Sequence, residues 1–170
     1  KQHEEHSGKK LRYFDPETNE SYVPFVLETS IGLDRMFLAV LSSSLQDETL
    51  EDGSERVVMR IPAPLAPIKA AVLPLTKKDG LPDKAREIIN ELKYDFNTYY
   101  EEKDTIGKRY RRMDAIGTPY CITVDHQTLE DNTVTIRERD SMTQERVAID
   151  TLQRIINEKV NMSTLLKKLN

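Results

Sequence analysis

The sequence predicts an α/β protein: a three-layer domain with a mixed five-stranded sheet flanked by helices, preceded by antiparallel strands and one helix. Three observations carry this. Ile68–Leu75 and Pro119–Asp125 are near-continuous apolar runs of strand length, as expected of strands covered on both faces. Helical apolar spacing falls between and after such runs, giving the order β-α-β-α-β-β-β-α downstream of residue 68. Thr133–Arg139 alternates apolar and polar residues, the signature of a strand with one open face.

Taken in order, the charged leader KQHEEHSGKK runs into strand-like LRYF and the turn DPETNE, which together predict a hairpin cut from a larger sheet. In Tyr22–Leu27, Val23, Phe25 and Leu27 alternate with Pro24 and Val26 as a mostly buried strand. Ile31–Leu41 then places Ile31, Met36, Phe37, Val40 and Leu41 at helical spacing. Gly32 permits a tight strand-to-helix turn, and Asp34 in the first helical turn is favoured by the positive end of the helix dipole. From Ser42 the chain is rich in Ser, Asp and Glu and then proline-dense (IPAPLAP), which predicts a surface loop followed by a stiff linker. VVMRI (57–61) has strand character over too few residues to fix an element. The expected organisation is therefore residues 1–45, a linker over 46–67, and a domain over 68–170.

Within that domain, Asp79, Gly80 and Pro82 open a helix whose Ala85, Ile88, Ile89, Leu92 and Phe96 share one face. Thr98–Lys103 is a second strand. Asp104 and Thr105 cap a helix carrying Ile106, Tyr110 and Met113 on one side and ending at Gly117. After the strands 119–125 and 133–139 comes a short strand at Arg146–Ile149. C-terminal helices use Leu152, Ile155 and Ile156, then Leu165, Leu166 and Leu169.

Composition excludes several functions. The net charge is −4, so any nucleic-acid contact requires a local basic patch. One cysteine, Cys121, precludes a disulfide framework and argues against a thiolate zinc site, and Cys121 reads as a small buried hydrophobe. His3 and His6 lie in the solvated leader, and no metal site is expected. No window reaches the roughly 18 apolar residues of a membrane span, and the N-terminal run lacks a signal-peptide core, so a cytoplasmic location and no membrane partner are expected. No strand leads into GxGxxG or GKS/T, the usual phosphate cradles. His126, between acids and without a nucleophile in view, reads as a hydrogen-bonded loop residue.

Arg35 is out of place electrostatically, since a cation early in a helix gains nothing from the dipole. It is either a surface ion pair or a planar donor aimed at something flat and anionic. The strand followed by G-hydrophobic-D-R-hydrophobic on a helix, here ETSIGLDRMFLAVL, resembles motif 3 of class II aminoacyl-tRNA synthetases, and its wording resembles the glycyl-tRNA synthetase family. APIKAAVLPL, IGKRYRRMDAIGTPYCITVD and TVTIRERDS extend the resemblance to that family's C-terminal anticodon-binding domain, so it spans nearly the whole chain. The resemblance implies ATP-dependent attachment of glycine to tRNA(Gly), with ATP and Mg2+ used by a homodimeric full-length enzyme. Arg35 then falls on the ATP-contacting arginine, and Glu28 and Ser30 on the residues that hold the glycine ammonium. A carboxylate suits the second task and a guanidinium that stacks on adenine the first. Motifs 1 and 2 are not in these residues, so this chain alone is expected to need no cofactor and not to activate glycine. The alternative is a non-catalytic, synthetase-like accessory or regulatory nucleic-acid-binding protein.

Two stretches are candidates for anticodon recognition. KRYRR (108–112) cannot lie on one helix face: Lys108 and Arg112 are one turn apart, Arg109 neighbours Arg112, and Arg111 turns away. By itself it is an ordinary solvated helix face balanced by Glu101, Glu102, Asp104 and Asp114; the family context makes Arg109 and Arg112 RNA ligands. In 133–139, Val134 and Ile136 face one way and Thr133, Thr135, Arg137 and Arg139 the other, so the open side is expected to present hydroxyls and guanidiniums. Glu138 offers an acceptor for a cytosine amino group, and glycine anticodons share two cytosines. Asp125 completes the candidate set. The competing expectation is charge pairing of Arg137 or Arg139 with Glu101, Glu102 or Asp125.

Overall fold

A computed structural model describes residues 2–167, which divide into two compact units, one ending at Met36 and one beginning at Phe37. In the first, a short helix α1 (Gln2–Ser7) precedes the expected hairpin, β1 (Tyr13–Asp15) against antiparallel β2 (Glu20–Tyr22), with Tyr13 and Tyr22 edge-to-face across it. The buried strand expected over Tyr22–Leu27 is not formed. Beyond Tyr22 the chain has neither helix nor strand until Leu33, and Phe25 and Leu27 are 100% and 99% exposed. A strand exists through its ladder bonds, and none of the described residues pairs with 23–32. Helix α2 (Leu33–Ser44) starts two residues later than the apolar spacing suggests and carries Asp34 in its first turn.

The second unit begins with a difference. In place of a surface loop, the Ser/Asp/Glu-rich stretch forms an antiparallel hairpin, β3 (Leu45–Thr49) with β4 (Glu55–Met59), turning through Gly53. Its polarity fits a ribbon with one wet face, while Arg56 and Val58 alternate inward and are buried. The proline-dense segment contains a 3₁₀ turn (Ala63–Leu65). Lys69 pins it in place by donating from Nζ to the carbonyls of Pro64, Ala66 and Ala63 at 2.7, 2.8 and 3.3 Å.

Next come β5 (Ala70–Pro74), α3 (Leu81–Leu92), β6 (Thr98–Tyr100), α4 (Ile106–Ile116), β7 (Tyr120–Val124), α5 (His126–Asp131), β8 (Thr133–Glu138), β9 (Gln144–Ala148), α6 (Leu152–Val160) and α7 (Met162–Leu166). The five-stranded sheet has the order β6-β5-β7-β8-β9, parallel among β6, β5 and β7 and antiparallel from β7 to β9. This is the mixed α/β sheet flanked by helices that the pattern predicts. Leu169, expected on the last helical face, lies outside the described residues.

One sheet face buries Val72, Ile122, Val124, Val134 and Ile136 beneath α3 and α6, through Leu81, Ile88, Leu152 and Ile156. The other buries Ala71, Leu73 and Cys121 beneath α4, through Met113 with Ile106 and Tyr110. Gly80 enters α3 with φ 77°, and Gly117 ends α4 with φ 84°. Thr105 holds the N-cap position of α4, although its side chain makes no capping bond.

Candidate nucleic-acid interface

Side chains of a strand alternate between faces, so Cys121 and Thr123 of β7 share the α4 side of the sheet with Thr133, Thr135 and Arg137 of β8. The β8–β9 register sets Arg146 beside Thr135 and Gln144 beside Arg137 on that side. The core under α4 draws only on β5 and β7, which leaves the outer half of this face polar, with Arg137 buried, Thr133, Thr135 and Arg146 half-buried and Gln144 exposed. There Arg146 holds Asp125 bidentately, Nη1 to Oδ2 at 2.5 Å and Nη2 to Oδ1 at 2.9 Å, and its Nε donates to Thr133 Oγ1 at 2.6 Å. Asp125 also caps α5, accepting from the Thr128 amide. The bonds from Arg146, seconded by Thr128, hold the Asp125 carboxyl below the usual carboxylate range, and the same pair raises Arg146.

The predicted guanidiniums are elsewhere than expected. Arg137, Arg139 and Arg109 are 4%, 3% and 2% exposed, so none offers a free guanidinium to solvent. Arg137 forks onto Asp114, Nη1 to Oδ1 at 2.8 Å and Nη2 to Oδ2 at 3.0 Å, and lies 4.8 Å from the centroid of the Tyr110 ring. Burial works against its charge, but the Asp114 bonds more than offset this and its pKa rises. Arg139 donates to the carbonyls of Ile61 and Gly117 at 2.9 and 3.0 Å and clasps Asp140. Arg109 reaches the carboxyl end of β5, donating to the carbonyl of Pro74 at 2.6 Å and to those of Leu75 and Glu101 at 3.3 Å. Because β5 leads by crossover to β6 on one side and β6 to β7 on the other, this end is the switch point where open α/β sheets form their ligand crevice. Here Arg109 fills it, and desolvation lowers its pKa. Arg112 is partly exposed and bonded to Glu101, Asp104 and the Lys103 carbonyl.

The partners of the buried arginines differ from the expected Glu101, Glu102 and Asp125: Arg137 takes Asp114, and Arg139 takes Asp140. Glu138 shares its sheet face with Tyr120 and Ile136, lining a cleft with Thr143, Glu145 and Lys159, where it accepts from Ser141 Oγ. The sheet therefore separates Glu138 from Arg137, and the candidates do not form one continuous surface. Glu28 and Ser30 lie exposed in the irregular segment of the first unit, and Arg35 is exposed in the first turn of α2. His126 opens α5, its Nε2 3.0 Å from Asp79 Oδ2, and Cys121 is buried with its thiol pushed up to about 12 by desolvation.

Three important residues, Asp114, Arg56 and Arg146, were not among the candidates. A signal existed for Asp114: it stands one turn after Tyr110 and next to Met113, on the inward stripe of α4. The same spacing places Arg109 inward, three residues after Ile106 and four before Met113. Arg56 and Arg146 carry no local signal, because their partners are distant in sequence.

The anticodon binding domain family matches residues 69–159. Over 160 residues, 94% of this chain, it is 58% identical to a protein named glycine–tRNA ligase from Clostridium tetani and 52% identical to one from Alkaliphilus metalliredigens. In both cases it spans 34% of the relative, so this chain covers about a third of the curated proteins it matches. Among solved structures, it resembles the RNA binding domain of threonyl-tRNA synthetase from Cryptosporidium parvum, with a TM-score of 0.53 and 26% identity over 58% of this chain and 25% of that one. On the family match across more than half its length, with the mixed sheet that houses it, this chain belongs to the anticodon binding domain family.

Proposed function

We propose that this chain is part of a glycine–tRNA ligase and that its second unit reads the anticodon of tRNA(Gly). The observation that carries this is the half-covered sheet face. The β8–β9 edge presents Thr133, Thr135, Gln144 and Arg146 in the stretch matched to the anticodon binding domain family. Hydroxyls, an amide and a guanidinium suit single-stranded RNA, whose splayed bases expose their hydrogen-bonding edges. Arg146 is the principal RNA ligand, oriented by Asp125, and Arg112 at the α4 margin meets a phosphate. Glu138, on the other side of the same edge, accepts from a cytosine amino group. Arg109, Arg137 and Arg139 shape the surface from beneath and do not touch RNA.

Residues 1–45 are the end of a class II catalytic domain, in which Glu28 and Ser30 hold glycine and Arg35 contacts ATP. The whole enzyme is a cytoplasmic homodimer using ATP with Mg2+. Similarity to the ligases over 94% of this chain supports that assignment. Among the described residues no helix is long and apolar enough to cross a membrane, which agrees with it.

The test is binding of this chain to a stem-loop RNA bearing the two anticodon cytosines, against the same RNA with uridines there. The cytosine RNA binds about 5- to 150-fold more tightly, as expected of one good base-edge contact of ~1–3 kcal/mol. R146A weakens binding and flattens its salt dependence. Equal affinity for both RNAs, untouched by R146A, refutes the assignment.

A further inference from the structure

We infer that the β3–β4 hairpin, which precedes the family-matched stretch, is a working part of the RNA-reading unit, with Arg56 as a positioning residue for the open sheet face. The inference deepens the proposed function and rests on the β8–β9 face being the RNA contact.

Arg56 projects inward from β4, and only 1% of its side chain is exposed. Its Nη1 donates to Asp114 Oδ2 at 3.0 Å and to the Arg139 carbonyl at 2.9 Å, while Nε donates to Glu48 Oε2 at 2.7 Å. Asp114, wholly buried, is thus shared by Arg56 and Arg137. Glu48, Arg56, Asp114 and Arg137 form an alternating chain of charges with no net charge. Its inner members, Arg56, Asp114 and Arg137, are buried, so removing any one of them leaves a buried neighbour short of a partner. Glu48 also accepts from Arg60, and these two arginines keep its carboxyl below the usual range against the opposing pull of burial.

The chain does not stop at Arg137. The guanidinium stacks on Tyr110, the Tyr110 hydroxyl lies 2.6 Å from Thr123 Oγ1, and Thr123 is the register partner of Thr135. Thr135 Oγ1 in turn lies 3.4 Å from Arg146 Nη1. Side-chain contacts therefore lead from the hairpin to Thr123, and the β7–β8 register carries the line on to the side chains assigned to RNA. Arg139 ties the same corner from the other direction, bonding the Ile61 carbonyl just past β4. The hairpin closes the polar interior behind the open face, and Arg56 fixes where that face's hydroxyls and guanidinium stand.

The test uses this chain with R56M, which keeps the side-chain stem and removes every donor, and V58A, a buried change on the inward side of the same hairpin. Both are compared with wild type by thermal melting and by the affinity ratio for cytosine-bearing over uridine-bearing stem-loops, at a temperature where each is folded. R56M lowers the ratio by about tenfold, within the range that residues remote from a ligand contribute to coupling. V58A lowers the melting temperature and leaves the ratio unchanged. A wild-type ratio in R56M overturns the inference, as does an equal fall in V58A, which would make the effect one of general loosening. Should R56M not fold, R56K decides: it keeps the charge but not the fork, so a lowered ratio supports positioning and a wild-type ratio overturns it. If wild type itself shows no preference, the proposed RNA contact fails, and the inference with it.

Discussion

Substituting alanine for Gly117 tests the packing of the hairpin against α4 with two contributions that can be worked from geometry. Gly117 has φ 84°, and a Cβ there would lie 2.9 Å from Ile61 Cγ2, 3.0 Å from Met59 Cγ and 3.2 Å from Met59 O. A left-handed backbone costs a non-glycine residue roughly 1–2 kcal/mol. Ile61 is buried and stiff at χ1, and the Met59 carbonyl sits in a strand paired with Leu45, so neither yields freely, which adds overpacking of about 1–3 kcal/mol. G117A should therefore lose about 2–5 kcal/mol, a large share of a typical domain's stability. Gly107 is the internal control: it lies in the first turn of α4 at ordinary φ, with nothing within 4 Å of its would-be Cβ. G107A should gain roughly 0.5–1 kcal/mol from helix propensity. Urea unfolding followed by circular dichroism measures both through the midpoint at constant slope. A loss below about 1 kcal/mol in G117A, under the low end of these summed costs, would refute the close approach of Gly117 and the hairpin.

R109A removes the plug at the sheet's switch point and leaves the buried Pro74 carbonyl and the part-buried Leu75 and Glu101 carbonyls without this donor; a buried orphan costs roughly 1–3 kcal/mol. Millimolar guanidinium should partly restore its melting temperature and not raise that of wild type; an R109A that melts like wild type would exclude the plug. Asp125 predicts a pH dependence. Its folded pKa is depressed, so its contribution is complete above the unfolded value of about 3.9 and is lost as the pH falls through the folded value. D125N should thus melt well below wild type at pH 6 and approach it at pH 3, whereas a gap independent of pH would remove Arg146 as the cause.

What was legible in the sequence follows from where each residue finds its partner. Ile68–Leu75 and Pro119–Asp125 announce buried strands because burial on both faces demands unbroken apolarity, and Gly117 announces a helix end through its own backbone. Thr133–Arg139 shows its alternation correctly, yet the fate of Arg137 depends on Asp114, 23 residues away on another element. Alternation assigns a side of the sheet and says nothing of what covers it. The β3–β4 hairpin was hidden for a related reason. Its inward positions are Arg56 and Val58, and an arginine inside spoils the hydrophobic period by which a strand is recognised. Tyr22–Leu27 fails in the opposite sense, with a strand's alternation and no ladder to join. For Glu28, Ser30 and Arg35 the resemblance to motif 3 carried the assignment, since local chemistry alone leaves an exposed carboxylate, hydroxyl and guanidinium.

The strand order has a consequence for how this protein opens and closes. Joining β5 to β7 brings Ala70 to Tyr120 across an intervening strand and two helices, a long closure whose entropy must be offset before the pairing stabilises the sheet. β9 pairs with β8 alone, through a short reversal that returns Gln144 to Arg137, and its outer edge bonds to no other strand of the sheet. Its amides therefore belong to the least protected tier of the sheet, released to hydrogen exchange by local fraying while β5 and β7 stay closed.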